Sequence, residues 1–415
     1  MTRCAHGDQM KSLSAKRRNL LLRGAALGAA AALLPAPVGD ATGGQPRRNQ
    51  VGGIKAAMVP PAIVSLADYG GLPGARTAAL VGAFRQALDA LAVQGGGTLL
   101  VPRGVYDFGH CTDAVTFVLC RDARDIAISA YGALFTVTTA ANVMPNLFYF
   151  FNFQNITIAG ASFADAGFDP RPDWRGMVCV GIQADRPSHG FMLVDCYAER
   201  VVSLLSSHNN TATRRLLSNI RVHGEVRYAY YGVSASFIRG NVDIDLVCHN
   251  VRRAVIASAL RNADIRVTVS GTAQWPVSNG LIALICGGAS MGNVQNVRIS
   301  LAASGEGSYG SYIHFYHQGD EPDGALRNID ATVHLANAAF AKSLFLFDHE
   351  ALFVKATTCR VWDRIALHGT ITGEFAGRVI ANPSASATPG TVCLDRNLAQ
   401  YAQHVHPGHM PLVVQ

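Results

Sequence analysis

The chain has 415 residues, 49% of them apolar and only 15% charged, so it can bury a large core and is neither disordered nor fibrous. Forty-one Gly and 18 Phe against five Lys suit a turn-rich, mostly β protein better than a helical bundle. The formal charge of +7 overstates the basicity of the folded part. Residues 1–41 hold six basic and two acidic side chains and leave +3 when removed, which gives no case for nucleic acid as a partner.

The first predicted element is a leader. Lys16-Arg17-Arg18-Asn19-Leu20-Leu21-Leu22-Arg23 precedes a short apolar run that ends in small residues and Pro35. That run is too short to span a bilayer and has the layout of a cleaved export signal. It resembles a twin-arginine signal, with Arg17-Arg18 as the pair and ordinary Sec export as the alternative. The expected location is the periplasm or outside the cell, with no membrane association after removal of residues 1–41. Eight of the nine Cys follow the leader, without CxxC or Cys/His spacing for zinc. Buried free thiols are the majority expectation, with Cys111 and Cys120 the pair to watch for a disulfide.

Residues 42–60 are rich in Gly, Pro, Arg and Asn and read as a linker. Ile63 to Gly71 then reads as a strand and turn. Thr77–Val93 follows with Leu80, Phe84, Leu88 and Leu91 on one helical face. Gly95-Gly96-Gly97-Thr98-Leu99-Leu100-Val101-Pro102-Arg103-Gly104-Val105-Tyr106 adds a glycine turn, a strand and a Pro-x-Gly turn. This order resembles the N-terminal cap of the pectate-lyase superfamily, which includes the rhamnogalacturonases and polygalacturonases. The resemblance implies an all-β fold, a single-stranded right-handed parallel β-helix (a pectin-lyase-like solenoid) with a short N-terminal capping helix. It covers about 45 residues and identifies the fold rather than a substrate.

The remaining chain repeats. Asn155-Ile-Thr-Ile, Asn219-Ile-Arg-Val, Asn241-Val-Asp-Ile, Asn262-Ala-Asp-Ile, Asn296-Val-Arg-Ile, Asn328-Ile-Asp-Ala and Asp363-Arg-Ile-Ala share one polar-apolar-x-apolar strand start. Steps of 22 and 21 residues separate positions 219, 241 and 262, and later steps are longer by inserted loops. A single turn of this kind cannot bury its apolar side, whereas a stack can. About nine coils are expected in one domain over 61–400, with 401–415 as a C-terminal tail.

Stacked coils bring equivalent residues ~4.8 Å apart, so function should show as polar residues recurring at one position. The first such stripe is Asp195, His223, Asp245 and Arg266, with Arg221, Asp243, Asp264 and Arg298 two residues earlier. Asp195 and Asp245 would stand two coils apart, roughly 9.6 Å, near the range of an inverting carboxylate pair. Asp243 and Asp264 are placed to share a Ca2+, although no cofactor or metal is required by any motif. The alternative is a ladder of alternating charge on a solvated face.

The second stripe follows each of those strands: Asp169, Asp173 and Arg175; Glu199 and Arg200; Glu225, Arg227, Tyr228, Tyr230 and Tyr231; His249, Asn250, Arg252 and Arg253. Polygalacturonase-like relatives carry their aspartates and G-H-G in this part of the coil. Here Glu199-Arg200 and Tyr230-Tyr231-Gly232 stand at those places, and the family motifs themselves are absent. The residue types still suit a sugar polymer, gripped by aromatic faces and by arginines that fork onto acidic groups. Asp173, Glu199 and Tyr230 are the expected catalytic groups, with Asp173 and Glu199 as acid and base. Arg200, Tyr228, Tyr231, His249, Arg252 and Arg253 are the expected substrate contacts. Tyr312, His314 and Tyr316, alternating with inward Ile313 and Phe315, form a third outward group that could bind the substrate or serve a β-elimination. The expected activity is cleavage of a polysaccharide, acidic ones included. Hydrolysis is preferred over the lyase route, and a non-catalytic glycan-binding solenoid is the remaining alternative. Neither the polymer nor the oligomeric state is fixed by the residues.

Overall fold

The structure is a computed structural model that describes residues 62–169, 175–209, 216–270, 280–287, 292–304, 310–318, 324–336, 343–349, 361–373, 377–382, 390–401, 405–406 and 412–415. The stretches expected to be an export signal (1–41) and a linker (42–60) lie outside the described residues. Two sheets run the length of the chain. The first has 16 strands and the second has 11, and every pairing in both is parallel. From Ser188 onward each coil gives one long strand to the first sheet and one short strand to the second. Ser188–Glu199 is followed by Ser203–Ser207, Leu217–Arg227 by Tyr231–Ser236, and Arg239–His249 by Arg253–Ser258. This is the expected right-handed parallel β-helix.

The core is built of columns. Ile126, Ile156, Phe191, Ile220, Val242, Ala263, Val297, Ile329 and Ile365 stand one above another in register, and all are buried. No one coil could hide such a side chain from water on both sides, so each coil depends on its neighbours. The helix Thr77–Val93 has the expected bounds and buries Leu80, Ala83, Phe84, Ala87, Leu88 and Leu91. Phe84 meets the rings of Phe108, Phe135 and Phe148 at 5.4 to 6.4 Å and so closes the N-terminal end of the aromatic core.

The recurrent Asn has a physical reason. Asn155, Asn219, Asn241, Asn262, Asn296 and Asn328 all have φ between 50° and 57°, a left-handed turn that Asn tolerates better than most residues. Their amides bond along the axis: Asn155 Nδ2 donates to Asp125 Oδ1 at 2.8 Å, Asn241 to Asn219 at 2.9 Å, Asn296 to Asn262 at 2.8 Å and Asn328 to Asn296 at 2.9 Å. Two expectations need correction here. In the last of these coils the left-handed residue is Arg364 at φ 54°, not Asp363. The short strands Val405–His406 and Leu412–Val414 pair with Arg378–Ala381 and Val392–Leu394, so the solenoid extends beyond residue 400 and 401–415 is not simply a tail.

Candidate functional site

The first stripe is a charge ladder. Arg266 binds Asp245 at 3.0 Å and Asp264 at 2.8 Å and also contacts Asp243, which takes a further ion pair from Arg221 at 3.0 Å. The guanidinium stands where a shared Ca2+ would have to sit between Asp243 and Asp264. Among the described residues no group of three His, Cys, Asp or Glu could hold a metal ion. Asp195 is removed from the row by a β-bulge between Leu193 and Cys196 and accepts a 2.9 Å hydrogen bond from the Tyr131 hydroxyl. The two carboxylates of the expected Asp195/Asp245 pair are thus each engaged elsewhere, Asp195 by Tyr131 and Asp245 by Arg266.

The second stripe converges at the corner where the long strands end. Arg200, Tyr228 and Asn250 are all left-handed, with φ of 55°, 48° and 52°. The Arg200 N–H donates to the Arg227 carbonyl and the Tyr228 N–H to the His249 carbonyl, each at 3.0 Å. Left-handed Arg and Tyr are uncommon, and such strain gathers at functional positions. Just before this corner the strand register sets Tyr197 opposite Glu225 and Glu199 opposite Arg227, with Arg227 opposite His249. All of these side chains project from the outer face.

They form a connected chain. The Tyr197 hydroxyl donates to Glu199 Oε2 at 2.6 Å. The Arg227 guanidinium lies 5.7 Å from the centre of the Tyr197 ring and binds Glu225 Oε1 at 2.5 Å. His249 stands 3.6 Å from the same Glu225 oxygen and shares a 2.8 Å hydrogen bond with Ser270. Burial and the neighbouring Glu199 push the Tyr197 phenol up to about 12. Two carboxylates thus stand in different surroundings, one against a neutral phenol and one against a cation. Tyr197 and Ser270 were not singled out from the sequence. Alternation backward from Glu199 by two residues, and forward by one coil from His249, would have found them.

The other expected residues fall into three groups. Asp173 lies outside the described residues. Tyr228 is 40% exposed at the corner, beside Arg200, while Tyr231 and Arg253 are in register on the outer face of the second sheet. Tyr230 is corrected: its ring is fully buried with Phe168, Val178 and Val202, and its hydroxyl donates to the Asp169 carbonyl at 3.4 Å. The Arg252 guanidinium covers that ring at 5.7 Å. Tyr230 is therefore a packing residue that anchors the segment around Asp169, out of reach of a polymer. Tyr312 is also corrected, because it belongs to the core at 3% exposure. His314 is 4% exposed, 3.7 Å from Asp348 and 5.2 Å from the Tyr316 ring. Only Tyr316 of that trio is partly open to solvent.

By sequence the chain matches no family model and no curated protein. Among solved structures it is similar to the Streptococcus pneumoniae surface protein and adhesin PfbA, with a TM-score of 0.42 and 10% identity over 85% of this chain and 96% of that one. It is similar to the tailspike protein of E. coli bacteriophage HK620 in complex with a pentasaccharide, with a TM-score of 0.42 and 12% identity over 83% and 67% of the two chains. A hyperthermoactive exopolygalacturonase from Thermotoga maritima gives a TM-score of 0.24 and 12% identity over 71% and 92%.

Proposed function

We propose that the chain is an exported enzyme that hydrolyses a polysaccharide at the corner cluster, with Glu199 and Glu225 as the carboxylate pair. The observation that carries this reading is the connected set Glu199, Tyr197, Arg227, Glu225 and His249 on one outer face beside the strained turns. Glu199 and Glu225 are diagonal neighbours on adjacent strands, Glu199 opposite Arg227 and Glu225 opposite Tyr197, so both carboxyl groups belong to one outer patch where a pair of carboxylates could serve glycoside hydrolysis. Tyr228 and Arg200 at the corner, and Tyr231 and Arg253 just beyond it, supply ring faces and cations for the sugar chain.

The lyase reading is less favoured because the phenol best placed to abstract a proton, Tyr197, is shifted upward, away from the range of an effective base. Arg227, the cation that would neutralise a uronate, is already paired with Glu225. Export by the twin-arginine route fits the seven free cysteines among the described residues, since that route carries a chain already folded.

The test is a panel of neutral and acidic polysaccharides followed for reducing ends and for absorbance of unsaturated products. New reducing ends without absorbance are expected, and Glu199→Gln and Glu225→Gln should each lower turnover by about 10²–10⁴ with binding retained. Unsaturated products would establish a lyase instead. Full activity in both variants would show that the cluster is structural.

A further inference from the structure

At the opposite end of the long strands lies an arginine row that the proposed reaction does not use. Arg239 is in register with Arg261, Arg261 with Gln295, and Gln295 with Arg327. Coil spacing puts the first two guanidinium bearers ~4.8 Å apart and the last ~9.6 Å further. Arg239 and Arg327 are exposed and Arg261 is half-buried. None of the three has a hydrogen-bond or ion-pair partner among the described residues. The contrast with the charge ladder is direct. There, on the same sheet, Arg221, Arg266 and Arg298 are ion-paired to aspartates, whereas Asp363, in register with Arg327 at the end of the row, pairs with Arg364 at 3.6 Å.

Beside this row the asparagine ladder is interrupted. The coil of Arg239 carries one extra residue, Gly240, at φ 82°, and the register shifts between Arg239 and Val242. Asn241 bonds back to Asn219, and Asn262 accepts from Asn296, but no bond joins Asn241 to Asn262. At that gap lies an open depression of about 370 Å3, lined by Arg239, Arg261, Ser218, Asn241, Asn262 and Gln295 among others. The step at which the two amides do not bond each other is therefore the step at which two unpaired guanidinium groups stand together.

We propose that this edge binds an acidic polysaccharide, with the arginines taking carboxylate groups along the polymer and the open amides taking its hydroxyls. Guanidinium forks match planar carboxylates, and a row at regular spacing suits a polymer with charge at regular intervals. Single-stranded nucleic acid is a poorer fit, because such sites stack bases on aromatic rings and no ring lines the depression. The edge is remote from the Glu199 cluster and would hold the polymer without taking part in its cleavage.

The test is isothermal titration calorimetry of the chain with polygalacturonate, with dextran as the neutral control and a single-stranded oligonucleotide as the rival polyanion, at two salt concentrations. Polygalacturonate should bind and dextran should not. A triple Arg239→Gln, Arg261→Gln, Arg327→Gln variant should bind roughly ten- to a hundredfold more weakly, with a shallower salt dependence. Triple substitution by Lys keeps the charge but removes the fork, so an intermediate loss is expected, and it serves as the test if the Gln variant does not fold. Failure of polygalacturonate to bind, equal affinity in the variants, or tighter binding of the oligonucleotide would overturn the proposal. Glu199→Gln should leave this binding unchanged, and the triple variant should leave turnover of short oligosaccharides unchanged. Loss of the edge and loss of the reaction are thereby separate results.

Discussion

Asp243 shows how a single carboxylate can be functional in appearance and structural in effect. His223 Nε2 lies 3.1 Å from it, Arg221 lies 3.0 Å away and Arg266 completes the set. Burial alone would raise its pKa, but the hydrogen bonds and charges of His223 and Arg266 outweigh burial and hold the carboxyl below the ordinary range. A depressed native value means that its stabilisation is complete above the unfolded value, about 3.9, and is lost as pH falls through the native value. Thermal unfolding followed between about pH 5 and pH 3 should therefore show a midpoint that falls with acidification. Asp243→Asn should flatten that fall while leaving any turnover intact. Asp165 is a contrasting case. It accepts bonds from the Thr139 N–H and hydroxyl and from the Gly167 and Met177 N–H groups, yet burial, the largest influence, pushes its carboxyl upward despite them. Such a group opposes folding as pH rises through its raised native value, so its four bonds serve to fix the segment leading to Asp169 rather than to favour neutral pH.

The unit of this fold is the turn at the start of each long strand, and its chemistry can be tested at Asn296. That side chain donates to Asn262 and accepts from Asn328 at φ 57°. Asn296→Gly keeps the permitted backbone and loses the amide bonds, whereas Asn296→Ala loses the bonds and also pays the left-handed penalty of roughly 1–2 kcal/mol. Urea unfolding should therefore rank wild type above Gly and Gly above Ala. The same turn explains what the sequence revealed and what it hid. Coils whose turn is Asn repeat visibly, and the capping helix was legible to the residue because its apolar spacing has no rival period. The coil of Ser188–Glu199 was hidden because its turn residue is Gly190 at φ 73°, where a side chain would stand 2.7 Å from Asn155 Oδ1. Asp125 concealed a further turn in the same way, and Arg364 left the last one recognisable but misplaced by one residue. Candidate residues were harder to place than coils. Alternation puts Tyr312 outside, but it joins the core at the corner, and the bulge at Asp195 displaces one residue of an otherwise regular row. Neither a corner nor a bulge leaves a mark in periodicity.

At the scale of the whole molecule, stability is a sum over neighbouring coils and is vulnerable at the ends. Phe84 is the side chain through which the cap helix meets three rings of the core. Phe84→Ala should cost about 3–5 kcal/mol, measurable as a lower denaturation midpoint. Because the uncovered strand edge is a template for further pairing, light scattering should also show association. A substitution of equal size far from the ends would lack that second effect.

The thiols have a use that is independent of any reaction. Cys111, Cys120, Cys179, Cys196, Cys248 and Cys286 are buried and free, and Cys393 is half-buried near the far end. Burial raises Cys111, and it pushes Cys196 up to about 12, so the buried sulfurs are inert to alkylating reagents until water reaches them. Cys111 and Cys120 share the first full coil, on Gly104–Cys111 and Thr116–Arg121, and the others follow on separate later coils, so together they mark the axis like graduations on a ruler. Timed labelling during mild denaturation, read by peptide mass, should modify Cys393 first among these seven. The order in which the remaining six react then gives the direction in which the solenoid unzips, with simultaneous reaction the sign of all-or-none opening.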